Sequence, residues 1–303
     1  MTSPTEVPTI DAERPRLVNL AYRMLGSLTE AEDAVQEAYA RWFALAPDDR
    51  AVIESPPAWL TTVTSRVCLD HLGSARARRE TYVGEWLPEL LPDPRDPRSP
   101  APAAGHTDPA DRVTLDESVS TALLVVMESM TPAERVAFVL HDVFGFQFPE
   151  VAEVLERSPA ACRQLASSAR RRVRDAEVSP TAPAHQAEVV QQIKQAWQAG
   201  DVAALLDILA EDAVTVTDGG GIVHAQLHPV SGASEVAQLL LRNVPDGLDV
   251  VETPVNGEPG LVVQRDGTTL MVVAFGIAGD HVRHIWATLN PEKLRPWGGL
   301  ESV

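Results

Sequence analysis

Only two cysteines, Cys68 and Cys162, occur in 303 residues, and no CxxC spacing links them. That excludes a disulfide framework and a cysteine-rich zinc finger, and leaves both as small residues on helices. No run of about 18 consecutive apolar residues is present, and the opening MTSPTEVPTIDAERPR has neither an apolar core nor a basic leader. The expectation is a cytoplasmic protein with no membrane partner. Positive charge is scarce too: 25 Lys and Arg stand against 43 Asp and Glu, for a formal net charge of -18. Any affinity for a polyanion must therefore come from a local surface.

What is present is enough apolar material, 45% of residues, for more than one core, and the length suggests two or three domains. Residues 11–85 read as a helical bundle. RLVNLAYRMLG leads into TEAEDAVQEAYARWF, where Thr29 and Glu32 have capping-box spacing, and AWLTTVTSRVCLDHL offers Trp59 or Leu60, Val63, Val67 and Leu72 as a buried stripe. Residues 86–112 form a linker, because seven prolines between 87 and 110 exclude a long helix. A second all-helical domain spans 113–177, with Thr131, Pro132 and Glu134 as a helix start. After SPTAPAHQ the pattern changes. Residues 186–303 read as an α+β domain with two helices joined at Gly200-Asp201 and strands in AVTVT, GLVVQ, TTLMVVAFG and HVRHIWATL. This last domain has a net charge of -9, so a nucleic-acid surface is not expected there.

The positive charge that exists is concentrated. From Arg157 through Arg174 there are six arginines and no acid, within FPEVAEVLERSPAACRQLASSARRRVRD. The stretch predicts a helix-turn-helix: a helix over 148–156, a turn at Arg157 and Ser158, and a longer helix to about 174, started by Ser158 and Pro159. Val151, Ala152, Val154 and Leu155 would pack against Ala161, Leu165, Ala169 and Val173. Ser158, Arg163, Gln164 and Ser167 would face duplex DNA, with Arg170, Arg171 and Arg172 on phosphate. In the first bundle Arg66, Arg76, Arg78 and Arg79 make a second basic area, beside which Trp59 and His71 could stack on an unpaired base. The acidic helix before it suits a basic protein partner.

Taken together these segments resemble the bacterial extracytoplasmic-function sigma factors, RNA polymerase subunits that select promoters. LAYRMLGSLTEAEDAVQEAYARWF resembles the first part of their region 2, AWLTTVTSRVCLDHLGSARARRE its later part, and TPAERVAFVLHDVFGFQFPEVAEVLERSPAACRQLASSARRRV their region 4. The resemblance implies core polymerase binding through Asp33, Gln36 and Glu37, and promoter DNA as the second partner. The tail resembles the SnoaL-like extension of one sigma group. YVGEWLPELL is similar to WLPEPL with Leu90 in place of the second proline, DGGGIV to DGGGKV with Ile222 in place of lysine, and NPEKL is intact. This implies a cone-like SnoaL-like domain with a curved sheet. It also implies an interdomain regulatory contact among Trp86, Leu87 and Pro88, Asp218, Gly219, Gly220 and Gly221, and Asn290, Pro291, Glu292, Lys293 and Leu294.

Asp218, His224, His281 and His284 invite a proton-transfer reading of the tail, but three glycines after Asp218 make a turn the simpler account. His281 and His284, three apart on a strand, face opposite ways. No catalytic residue, cofactor or metal site is expected, although a pocket in the last domain could take a small ligand that the sequence does not name. The alternatives are a DNA-binding regulator that is not a sigma factor, and a DNA-binding module fused to a polyketide cyclase-like enzyme.

Overall fold

The computed structural model describes residue 10 and residues 12–79, 82–93, 120–176, 182–244 and 247–298; of residues 75–79 and 183 it describes the backbone. The chain forms two compact units. The first takes the described residues through 79 and those from 126 to 176, and the second takes 82–93, 120–125 and those from 182 onward.

In the first unit, α1 (Arg14–Leu25) stops where Gly26 adopts a left-handed φ of 73° and its N–H donates to the Tyr22 carbonyl. Ser27 is therefore placed to cap α2 (Leu28–Ala44), its Oγ accepting from Glu30 N at 3.3 Å. The expected Thr29–Glu32 capping box does not start this helix, because the chain reverses at Gly26 and Thr29 already lies inside the first turn. After the short α3 (Pro47–Ala51), α4 (Pro56–Arg79) completes the bundle. Leu60, Val67 and Leu72 are buried as the stripe predicts, whereas Val63 is only half-buried and Thr64 and Ser65 lie inside.

Helix α5 (Thr121–Glu128) precedes α6 (Pro132–Phe138), which begins with the expected reciprocal cap. Glu134 N donates to Thr131 Oγ1 at 3.3 Å and Thr131 N to Glu134 Oε2 at 2.9 Å. Arg135, 3% exposed, fastens this helix to its neighbours. Its guanidinium donates to the Met24 and Met127 carbonyls at 3.1 and 2.5 Å and to Glu128 Oε1 at 2.7 Å.

A π turn over Val139–Val143 leads to α7 (Phe148–Leu155) and α8 (Pro159–Asp175). The turn between them is made by Glu156 in the left-handed region, and Ser158 Oγ then accepts from Ala161 N at 3.2 Å. Val151, Ala152, Val154 and Leu155 are buried as expected, but the seam of α8 is Cys162, Ala166 and Ala169, with Ala161, Leu165 and Val173 at its margin. Small residues there let the two helices approach closely.

In the second unit, Gly200 (φ 64°) ends α9 (Pro183–Ala199), and the Asp201 carboxylate caps α10 (Val202–Ile208) by accepting from Ala203 N and Ala204 N. The sheet comprises β1 (Leu209–Asp218), β2 (Val230–Ser231), β3 (Asp249–Val255), β4 (Glu258–Arg265), β5 (Thr268–Ala278) and β6 (His281–Thr288), with α11 (Ala233–Arg242) between β2 and β3. The order is β2-β1-β6-β5-β4-β3, with β1 and β6 parallel and the other pairs antiparallel. One face, including Val263, Phe275 and Ile285, packs on α9 and α11 through Ile193, Trp197 and Val236. The other, including Val262, Val272 and Trp286, packs on Leu87, Leu90, Leu294 and Trp297.

This sheet corrects the expectation of a cone-like SnoaL-like domain with a curved sheet. The first and last strands of the order, β2 and β3, do not pair, so the sheet is open and is neither closed nor curled into a cone. Strand β2 is two residues long and pairs with β1, and β3 pairs with β4 and meets the linker through an isolated antiparallel bridge between Val255 and Pro92. Strand-forming residues were visible in the sequence, but the order in which strands pair is not a local property. No helix among the described residues is long and apolar enough to cross a membrane.

Candidate functional site

Helix α2 turns Ala31, Ala34, Val35, Ala38 and Trp42 inward, and so leaves Asp33, Gln36 and Glu37 exposed on the opposite side. Glu37 already holds Arg41 at 2.6 Å, and its second oxygen lies 3.9 Å from His71 Nε2. His71 thus stands beside the acidic face. Trp59 is half-buried and meets Trp42 edge-on at 5.2 Å. Arg66, although exposed, donates to the Glu153 carbonyl at 2.7 Å and lies 3.9 Å from Glu156, so it reaches helix α7. Arg76, Arg78 and Arg79 lie on the last turns of α4, and their side chains fall outside the described residues.

On α8 the charged side chains divide. Arg163 is exposed and lies over the Phe148 ring at 5.5 Å, next to exposed Gln164 and Ser167. Arg170 donates to Asp142 Oδ1 at 2.5 Å, and Arg172 lies 3.7 Å from Glu134 Oε2, while Arg171 is exposed. Burial alone would raise the Glu134 carboxyl. Hydrogen bonds from Ser168 and Thr131, with the charge of Arg172, outweigh it and hold the group below the usual carboxylate range. Ser158 is committed to its cap.

The second unit brings together the three segments singled out in the linker and tail. Asp218, at the end of β1, is wholly buried. Its Oδ1 accepts from Tyr82 Oη at 2.6 Å and Gly220 N at 3.0 Å, and its Oδ2 from Leu87 N at 3.0 Å and Lys293 Nζ at 2.7 Å. Lys293 also donates to the Leu87 carbonyl and sits over the Trp86 ring at 4.1 Å. Asn290 Nδ2 donates to Tyr82 Oη at 2.9 Å, and its N–H to the Asp218 carbonyl at 3.0 Å. Gly220 has φ 65°, and a Cβ there would lie 2.5 Å from the Asn290 amide. A Cβ at Gly221 would lie 2.9 Å from Val83. The glycines are close-approach positions. Pro88 and Leu294 are buried, Pro291 is half-buried and Glu292 is exposed.

Several members of this site were not singled out in the sequence. Burial, then the hydrogen bond to Asp218, pushes the Tyr82 hydroxyl well above its ordinary pKa. Asn256 accepts from Leu91 N at 2.9 Å through Oδ1 and donates to the Leu91 carbonyl through its N–H at 2.8 Å. Trp297 Nε1 donates to the Leu90 carbonyl at 2.5 Å. Asn256-Gly257 was visible as a turn signal, but Tyr82 and Trp297 had no local pattern marking them. Ile222, which stands where the resembled motif has lysine, is 56% exposed; the cation at Asp218 is Lys293. Of the histidines in the tail, His224 and His281 are exposed and His284 stacks on Trp286 at 5.3 Å. Among the described residues no cluster of three or more His, Cys, Asp or Glu could hold a metal ion.

Comparison with known proteins gives a family. Residues 9–78 match Sigma-70 region 2, and residues 120–173 match Sigma-70, region 4. The chain is 40% identical to the ECF RNA polymerase sigma factor SigJ of Mycobacterium tuberculosis, over 95% of this chain and 93% of that protein. It is 35% identical to the probable ECF RNA polymerase sigma factor SigI of the same species, over 94% and 93%. The crystal structure of M. tuberculosis SigJ superposes with a TM-score of 0.73 at 36% identity, covering 96% of this chain and 99% of that one.

Proposed function

This chain belongs to the extracytoplasmic-function RNA polymerase sigma factors and acts in promoter-specific transcription initiation with the polymerase, and we propose that its own C-terminal unit regulates that activity by holding the interdomain linker. In this reading Asp33, Gln36 and Glu37 engage core polymerase. Arg163, Gln164 and Ser167 read duplex bases, Arg170, Arg171 and Arg172 contact phosphate, and Arg66, Arg76, Arg78, Arg79, Trp59 and His71 serve the melted element. The exposure of the acidic face on α2 and of Arg163, Gln164 and Arg171 on α8 supports these assignments. Arg170 would have to exchange Asp142 for phosphate.

The observation that carries the regulatory reading is the buried Asp218–Lys293 pair closed around Leu87. A linker whose Leu87, Leu90 and Leu91 backbone groups are hydrogen-bonded by Asp218, Lys293, Trp297 and Asn256, with Leu87 and Leu90 buried, has fewer free residues between regions 2 and 4, so the distances open to them narrow. Release requires an alternative state with its own contact free energy, which polymerase binding can supply. A small ligand in the pocket of the last unit would be a second input.

The test uses the full chain labelled once in region 2 and once in region 4, with run-off transcription from a promoter library on core polymerase. Asp218→Asn/Lys293→Met and a deletion after Thr181 should each broaden the distance distribution and change transcription at matched soluble protein. An unchanged distribution together with unchanged transcription in both would leave the C-terminal unit a passive tail. DNA binding without core association would remove the sigma assignment itself.

A further inference from the structure

On the face of the sheet opposite the linker lies a cavity of about 350 Å³, inside the second unit alone. This is at the low end of the roughly 300–1,000 Å³ usual for small-molecule sites. Its buried wall is apolar, with Trp197, Val273, Phe275, Ile285 and Ala287 among its residues. The polar lining residues His224, Gln226 and Asn243 are exposed and mark its mouth. Among the described residues no Asp, Glu, Lys or Arg lines it, so none of these would compensate an ion brought in from water.

Most polar atoms of the wall are already engaged. Trp197 Nε1 donates to the Leu240 carbonyl at 2.9 Å, and Thr217 Oγ1 accepts from Gln226 N at 2.8 Å and donates to Gln226 O at 3.3 Å. Thr215 is the exception. It is 3% exposed, lines the cavity, and its Oγ1 has no hydrogen-bond partner among the described residues. A buried hydroxyl left unsatisfied is costly and gains from any group that pairs with it.

We propose that this cavity binds an uncharged, mainly apolar small molecule carrying one hydroxyl or carbonyl, which pairs with the Thr215 hydroxyl. The proposal gives a chemical class to the ligand invoked in the functional reading and rests on that reading only for its regulatory consequence. Strand β1 relates the two faces: Thr215 and Thr217 face the cavity, and Asp218 at its end holds the linker. Binding is measured on the purified chain without polymerase, so its failure is separable from failure of linker control.

The probes are 1-naphthol, naphthalene and 1-naphthoate, titrated by equilibrium dialysis against the full chain and against Thr215→Val and Ala287→Phe. The wild type should bind 1-naphthol saturably at one site, about fivefold tighter than naphthalene, the difference expected of one hydrogen bond. The charged naphthoate should bind at least about tenfold more weakly than 1-naphthol. Thr215→Val should bring the naphthol-to-naphthalene ratio to about one, and Ala287→Phe, which fills the cavity, should abolish binding of both. The proposal is overturned by absence of saturable binding of the neutral probes, by naphthoate binding as tightly as naphthol, or by an unchanged ratio in Thr215→Val. Unchanged binding by a folded Ala287→Phe also overturns it. Should that variant fail to fold, the ratio in Thr215→Val still decides.

Discussion

Lys293 Nζ lies 2.7 Å from Asp218 Oδ2, and both side chains are buried, the lysine against the Trp86 ring and the carboxylate among four hydrogen-bond donors. Taking two charges out of water is unfavourable, and each is tolerable only while the other is present. The linker carbonyl of Leu87 completes the lysine's coordination, so holding the linker and satisfying the charge pair are one event. Removing either partner leaves an uncompensated buried charge; removing both does not.

That asymmetry predicts a double-mutant cycle. Lys293→Met should destabilise the second unit by about 3–5 kcal/mol, and adding Asp218→Asn should recover a large part of the loss. Urea unfolding followed by tryptophan fluorescence measures the coupling; strictly additive losses would show that the two side chains act independently.

The glycine turn gives a second prediction. Gly220→Ala introduces a Cβ 2.5 Å from the Asn290 amide at φ 65°, whereas Gly267→Ala, at φ 79°, meets nothing within 4 Å. The second substitution carries backbone strain of about 1 kcal/mol. The first adds a collision with a side chain held by Tyr82 and should cost at least about twice as much. Thermal melts of the two variants compare them directly, and equal losses would mean that Asn290 yields freely.

Region 4 should show a carboxylate-linked loss of stability in acid. The folded Glu134 pKa lies below its unfolded value, about 4.3, so the unfolded state binds the proton more readily. The stabilising contribution is complete above that unfolded value and disappears as pH falls through the depressed folded pKa. Glu134→Gln should therefore be less stable than wild type at neutral pH, with a gap that narrows in acid. Circular dichroism melts across the acid range measure the gap, and a constant difference would assign the effect to packing.

On DNA, Arg163→Ala and Gln164→Ala should shift sequence preference, with about 1–3 kcal/mol lost at the affected position. Arg171→Ala should weaken binding uniformly across promoters and reduce the salt slope by about one. Titrations of specific and scrambled promoters at several salt concentrations separate these effects; equal losses on both sequences from all three variants would remove the division of roles.

The sequence by itself determined the local elements. Ser158-Pro159 after a buried apolar quartet marks the start of α8, Thr131 and Glu134 mark α6, and Gly200-Asp201 separates α9 from α10, because caps and helical faces depend on residues within one or two turns. The arginine cluster was equally legible against an acidic chain. Matching motif segments also named Asp218, Asn290 and Lys293, though not which atoms meet. Tertiary structure alone decided that Lys293 compensates Asp218 while Ile222 faces solvent, that Tyr82 joins them from 136 residues away, and that Arg170 is engaged by Asp142. It also decided that β1 pairs parallel with β6 and that the sheet stays open. Those outcomes depend on strand order, register and burial, which arise from contacts between residues far apart in the chain and leave no periodicity in the sequence from which to read them.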